Sequence, residues 1–189
     1  MTTVKQLFVE SRAASRPTLS FEIFTPKGDL DHRTAREVAG GLAPLGPDFI
    51  SVTYSAGGGG NKHSTNDVAE IIQSDFGTVW VAHLTCAGAT ASSIAASIED
   101  LHAHNIENVL ALRGDIPAGV EPAEFRFAKD LIPMLADAGF CVGAAAYPEG
   151  HIDCDSLRLN VEHLRQKQDA GASFLVTQLL LDNDCFYRF

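Results

Sequence analysis

Six times along the chain an apolar run rich in β-branched or aromatic residues is followed by a stretch with helical character, and this alternation restricts the fold more than any other feature. The runs are Thr18–Phe24, Phe49–Tyr54, Thr78–Cys86, Asn108–Arg113, Cys141–Tyr147 and Phe174–Leu181. Most are almost continuously apolar, as expected of strands covered on both faces. Amphipathic segments of helical length lie between them, at Asp31–Leu45, Thr65–Ser74, Thr90–His104, Glu124–Ala138 and Asp155–Ala170. Asp31, Ser64–Thr65, Thr90 and Asp155–Ser156 mark helix starts, and Gly139 and Gly171 mark helix ends. Asp182–Phe189 reads as the beginning of a sixth helix, so the sequence reads as cut short.

Repeated β-α alternation predicts a parallel sheet with right-handed crossovers. A doubly wound open sheet accepts six strands, whereas a (β/α)8 barrel needs eight. Polar residues stand at the C-terminal ends of nearly every run: Glu22, Thr53, His83, Arg113–Asp115, Tyr147 and Gln178. A barrel converges all its strand ends on one mouth, while an open sheet uses mainly the crevice at its switch point. The expected fold is therefore α/β of the (β/α)8 TIM-barrel type, with about six β/α units present. Residues 1–189 are expected to form a single, incomplete barrel domain, since no linker or low-complexity tract interrupts them.

At 189 residues the length suits one domain. A formal net charge of −10 argues against binding to nucleic acid, whose affinity rests on phosphate neutralisation. No apolar run reaches the ~18 residues of a membrane span, and Met1–Arg16 lacks the apolar stretch of a signal peptide. The cysteines at 86, 141, 154 and 185 form no CxxC pair, which favours free thiols in a reducing compartment. A cytoplasmic protein is expected.

Several residues carry chemical interest, each beside a plainer reading. Glu22 lies within SFEIF, where burial would suit it to proton donation; pairing with a neighbouring cation is the plain alternative. Asp115, after the turn residue Gly114, is a second carboxylate at a strand end. The glycine-rich stretch Ser55–Thr65 matches neither a dinucleotide fingerprint nor a P-loop and reads best as a loop tip. His83-x-x-Cys86 and His151-x-x-Cys154 together hold zinc-type ligands. Residues three apart on a strand face opposite ways, however, so no metal is expected there. Gln178 is either a core hydrogen-bond bridge or a pocket residue. Arg165 and Lys167, late in a helix, read as solvated charges.

In chain order, SFEIFTPK (20–27), FISVTYSAGGG (49–59), AHLTC (82–86), NVLALRGDIP (108–117), AAAYPEGH (144–151) and QDAGASFLVTQLLLDNDCFYRF (168–189) resemble the 5,10-methylenetetrahydrofolate reductase family. The resemblance implies a flavin-dependent barrel enzyme of one-carbon and methionine metabolism. In that family FAD lies across the barrel mouth, is reduced by NAD(P)H, and passes hydride to methylenetetrahydrofolate in a ping-pong cycle. Glu22 matches the general acid that opens the folate ring. Asp115 matches the carboxylate beside flavin and pterin, and Gln178 a glutamine contacting folate or nicotinamide. Thr53, Tyr54, Ala56, His83, Arg113, Gly114, Asp115, Ala128, Tyr147, His151, Asn160 and Lys167 match cofactor-binding positions. His163 and Gln166 depart from the pattern, standing where better-known members have an amide and an arginine. The family's catalytic barrel is longer by roughly two β/α units. The alternative is a non-catalytic barrel fragment or subunit that needs another chain, and a homo-oligomer or a partner chain is expected in either case.

Overall fold

The computed structural model describes residues 2–23, 32–53, 70–116, 124–152, 154 and 156–189. It opens with a helix that the strand-helix alternation does not foretell. Helix α1 (Val4–Ala13) is started by a capping box: Thr3 Oγ1 accepts the Gln6 N–H while Gln6 Oε1 accepts the Thr3 N–H. Strand β1 (Ser20–Ile23) follows, then α2 (His32–Leu42) with a 3-10 turn at Ala43–Leu45, and β2 (Phe49–Val52). Residues 70–76 are helical (α3). Next come β3 (Val79–Thr85), α4 (Ala91–Ala103), β4 (Asn108–Leu112), α5 (Ala128–Asp137), β5 (Cys141–Ala146), α6 (Leu157–Asp169), β6 (Phe174–Thr177) and α7 (Asn183–Arg188). Thr90 and Ser156 cap α4 and α6 as expected. Gly139 and Gly171 take positive φ past the helix ends. The expected caps Asp31, Ser64–Thr65 and Asp155 lie outside the described residues.

The six strands form one sheet in the order β1-β2-β3-β4-β5-β6, all parallel. That order decides between the two architectures. A doubly wound sheet reverses direction at a switch point and so places helices on both faces. Right-handed crossovers that always step the same way leave every crossover helix on one face. The other face must curl on itself to be covered, which gives the barrel type. Phe8 on α1 measures the curl: its ring lies 6.4 Å from that of Phe49 on β2 and 6.2 Å from that of Phe174 on β6. Four strand spacings of a flat sheet would hold those two strands about 19 Å apart.

Strand parity sorts the side chains into two cores. Ile23, Ile50, Val52, Trp80, Val109 and Val142 face the helices and form the larger one. Phe49, Val81, Leu110, Cys141 and Phe174 face the concave side, and α1 closes that end with Val4 and Leu7. Asn108 seats the plug. Its Oδ1 accepts the Val4 N–H at 2.8 Å, and its Nδ2 donates to the Trp80 carbonyl at 3.3 Å. Gly143 sits opposite Phe174 in the register, where a Cβ would lie 2.4 Å from the ring.

Strand β6 is shorter than the apolar run implies. It ends at Thr177, and Leu179 and Leu181 are exposed. Among the described residues, β1 and β6 each pair on one side only.

Candidate active site

Inward parity carries one set of polar side chains up the concave face to the C-terminal strand ends. Phe49, Ser51 and Thr53 share a face, as do Val81 and His83, and Phe174 and Gln178. Glu22 pairs with Ser51 and so points inward as well. Glu22, His83, Thr53 and Gln178 thus belong to the barrel mouth. His83 is 7% exposed, and its Nε2 has no hydrogen-bond partner among the described residues. Burial pushes its pKa down from 6.5 to about 4, so the ring is neutral near pH 7. Glu22 Oε2 lies 3.7 Å from that Nε2, too far for a hydrogen bond. A buried ring nitrogen without a partner among the described residues has hydrogen-bonding capacity left for a polar atom at the mouth.

Two expectations need correction here. The burial expected of Glu22 from its apolar neighbours is not found: its side chain is 56% exposed, because Phe21 and Ile23 take the outward positions and leave the mouth to Glu22. Gln178 is exposed too, so it is not a core bridge in this chain.

A second feature adjoins the mouth. A cleft of about 900 Å³, counting its open side, lies between the ends of β4 and β5 and the helices α5 and α6. Arg113, Ala128, Tyr147, His151, Asn160 and Lys167 all line it, six positions expected to bind cofactor. Lys167 is not the solvated helix charge its position suggested. Its Nζ donates to the Ala145 carbonyl at 2.8 Å and lies 5.7 Å from the Tyr147 ring centroid, and burial lowers its pKa. Arg165 does match the plain reading, exposed and 3.9 Å from Asp169. Burial raises the Tyr147 hydroxyl; Asp115 adds to this and Arg113 opposes it, so both charges are felt at this ring.

Asn160 is largely occupied in folding the loop before α6. Its Oδ1 accepts the His151 N–H, and its Nδ2 donates to the carbonyls of Cys154 and Ser156. Both amide protons are therefore spent on the backbone, and one acceptor lone pair remains.

Gly114 shapes the loop carrying Asp115. Its φ is +82°, and a Cβ would meet Thr85 Cβ at 3.0 Å. The Arg113 carbonyl accepts N–H groups from Cys86 and Ala87, locking this loop to the one after β3. Asp115 is exposed. Cys86 faces the helix-side core while His83 faces the mouth, so that pair does not converge. Tyr54, Ala56 and the stretch Ser55–Thr65 lie outside the described residues, as does Asp153.

The lining suits an anionic ligand. The chain carries a formal charge of −10, yet the described lining of the cleft includes Arg113, Lys129 and Lys167 and no acidic residue. Lys129 and the seat residue Asn108 escaped the sequence reading. Lys129 sits at the end of FRFAK with no motif around it, whereas Asn108 opening an apolar strand was a readable signal.

Fold and site define a β/α-barrel chain with a polar mouth and an adjoining cationic cleft at the strand C-termini. The family model for methylenetetrahydrofolate reductase matches residues 8–189, and the chain belongs to that family. It is 36% identical over 201 residues to methylenetetrahydrofolate reductase 2 of Saccharomyces cerevisiae, covering 98% of this chain and 33% of the relative. It is 34% identical over 172 residues to 5,10-methylenetetrahydrofolate reductase of Escherichia coli, covering 90% of this chain and 57% of the relative. The chain thus spans a third to just over half the length of these relatives. Among solved structures, a Clostridium thermocellum protein that binds two copies of 5-methyl-5,6,7,8-tetrahydrofolic acid matches with a TM-score of 0.65 at 12% identity, over 96% of this chain and 61% of that one. A 2,3-dimethylmalate lyase matches with a TM-score of 0.63 at 15% identity, over all of this chain and 66% of that one. These two likenesses concern the fold. Among the described residues no helix is long and apolar enough to cross a membrane.

Proposed function

We propose that this chain forms the larger part of a single barrel domain that reduces 5,10-methylenetetrahydrofolate to 5-methyltetrahydrofolate, using FAD and NAD(P)H in a ping-pong cycle. The observation that carries the reading is the meeting of two residue sets in one fold: Glu22, Thr53, His83 and Gln178 at the mouth, and Arg113, Tyr147, His151 and Lys167 at the cleft beside it. FAD supplies the hydride carrier.

The chain's own residues do the rest. Lys167 and Arg113 offer cations to a diphosphate. Tyr147 presents an aromatic face, with His151 edge-on at 4.6 Å. His83, neutral and unpartnered, offers its Nε2 to a ligand polar atom. Glu22, open to the mouth, is the general acid towards the folate ring nitrogen. Asp115 faces the cationic intermediate, where a carboxylate stabilises positive charge. Gln178 offers an amide to the folate or the nicotinamide.

The test is reconstitution of the full polypeptide, as expressed from its own reading frame, with FAD, followed by NADH or NADPH and then methylenetetrahydrofolate. Bleaching of the flavin by nicotinamide and its recovery on folate addition are expected. Failure of FAD and FMN to bind at micromolar concentration overturns the reading. A second reading, a subunit that needs another chain, is favoured by the one-sided pairing of β1 and β6. It predicts flavin binding only after a partner is added.

A further inference from the structure

The cleft between α5 and α6 concentrates cations in an acidic chain, and its two lysines are held in different ways. Lys167 reaches inward from α6, is tied to the Ala145 carbonyl and lies over Tyr147. Lys129 stands in the first turn of α5 and donates to Gln166 Oε1 on α6 at 2.8 Å. That bond spans the two helices that wall the cleft. A neutral amide holds the ammonium in place but cancels none of its charge. Two of the three Lys129 N–H donors remain after this bond. Among the described residues no carboxylate forms an ion pair with Lys129, and the cleft lining offers none. Phe127, with its ring centroid 5.7 Å from Lys129 Nζ, screens part of the ammonium without neutralising it. Two ammonium groups and the Arg113 guanidinium on one cleft match the chemistry of a diphosphate, which carries charge on two adjacent phosphoryl groups.

We propose that Lys129 is a phosphate-binding residue of this chain and Gln166 the residue that positions it, so that Lys129 on α5 and Lys167 on α6 hold the diphosphate of a dinucleotide from two sides. The proposal rests on the flavin reading above and adds to it a residue that neither the sequence reading nor the family resemblance singled out. A diphosphate has two sources here, a flavin dinucleotide and a nicotinamide dinucleotide, and the experiment separates them.

The full polypeptide is stripped of cofactor and titrated with FAD, FMN and riboflavin by fluorescence, and with NADH and NADPH. For Lys129→Met the dissociation constant for FAD rises about ten- to a hundredfold, as expected for the loss of one charge-assisted contact. Riboflavin, which has no phosphate, binds as to the wild type. The salt dependence of FAD binding becomes shallower, and Lys129→Arg restores most of the affinity. Gln166→Glu, which places a carboxylate on the ammonium, weakens FAD at least as much as Lys129→Met. Gln166→Leu gives a smaller loss of about three- to tenfold. Thermal melts of all variants identify any that fail to fold.

FAD binding within twofold of wild type in folded Lys129→Met overturns the proposal. An equal loss for FAD and riboflavin also overturns it, since Lys129 would then act on the fold and not on phosphate. If the wild type binds no flavin at all, the flavin reading fails by itself. Lys129 is then judged on NADH and NADPH, and an unchanged affinity there ends the proposal too.

Discussion

His83 Nε2 lies 3.7 Å from Glu22 Oε2 although strand β2 runs between β1 and β3, which carry them. In a flat sheet two strand spacings separate side-chain origins by about 9.6 Å. Concave curvature and inward parity bring the two groups together at the mouth. Because burial keeps the imidazole neutral, the contact is not an ion pair at neutral pH, and its length excludes a direct hydrogen bond. It is a gap between a carboxyl group and a ring nitrogen with no partner among the described residues, framed by the sheet.

His83 makes stability depend on pH in a fixed direction. Its folded pKa, about 4, lies below the ordinary 6.5. Above pH 6.5 the ring is neutral in both states and costs nothing. As the pH falls from 6.5 towards 4 the unfolded chain takes up a proton that the folded one refuses, so stability drops, by on the order of 3 kcal/mol when complete. Urea denaturation at pH 7 and pH 5 should show this loss in the wild type and a clearly smaller one in His83→Gln. Asp48 and Asp75, lowered chiefly by hydrogen bonds from Arg16 and Arg36, lose their contribution only at more acidic pH. Equal slopes in the two proteins between pH 7 and 5 would show that His83 takes up its proton normally in the fold.

Gly143 and Phe174 form a complementary pair on the concave face. With a Cβ at position 143 only 2.4 Å from the ring, Gly143→Ala should cost about 1–3 kcal/mol through overpacking. Phe174→Leu alone loses buried surface. Combining the two should cost less than the sum of the singles, because leucine vacates the space that alanine needs. A double-mutant cycle by urea denaturation measures the coupling, and strict additivity would mean that the ring moves aside at little cost.

Glu22→Gln separates the two half-reactions of the proposed cycle. Hydride transfer from nicotinamide requires no proton for a folate nitrogen, whereas ring opening does. In stopped-flow measurements on the full polypeptide, flavin bleaching by NAD(P)H should stay within about twofold of wild type. Reoxidation by methylenetetrahydrofolate should slow by about 10²–10⁴-fold, the usual worth of general acid catalysis. An equal slowing of both halves would assign Glu22 to structure.

The strand pattern was legible because the central strands β2–β5 are covered on both faces and read as almost continuous apolar runs. Each expected strand appears within a few residues of its place. Helix α1 was not legible as a strand partner because its role is to plug the barrel end, although Thr3 and Gln6 spell its capping box. Side-chain direction was the weaker part of the reading. Lys167 looked solvated because helix position alone does not say which way a long stem turns; here it folds over Tyr147 into the cleft. Glu22 looked buried because it lies among apolar residues, yet its immediate neighbours Phe21 and Ile23 alternate away from it. Lys129 and Gln166 stand 37 positions apart, and only the packing of α5 on α6 joins them.

The open flank of β6 predicts the behaviour of the 189-residue chain in solution. Among the described residues the strand pairs only with β5, and its second side leaves N–H and C=O groups available to another strand. Around that flank Leu175, Val176, Leu179 and Leu181 are exposed, within a run FLVTQLLL that holds no charge and no proline. Such a run is a template for pairing with a second chain. The 189-residue chain should therefore self-associate at micromolar concentration and melt over a broad range. A polypeptide extended to about 250 residues, the usual length of a closed barrel, should be better defined in mass and more cooperative. Val176→Lys with Leu179→Lys should reduce the association of the short chain, since charge on an edge strand opposes pairing. Light scattering and thermal melting decide the matter. If the short chain is monomeric at high concentration and melts as sharply as the extended one, the flank of β6 is closed in solution and the open half-barrel is not its resting form.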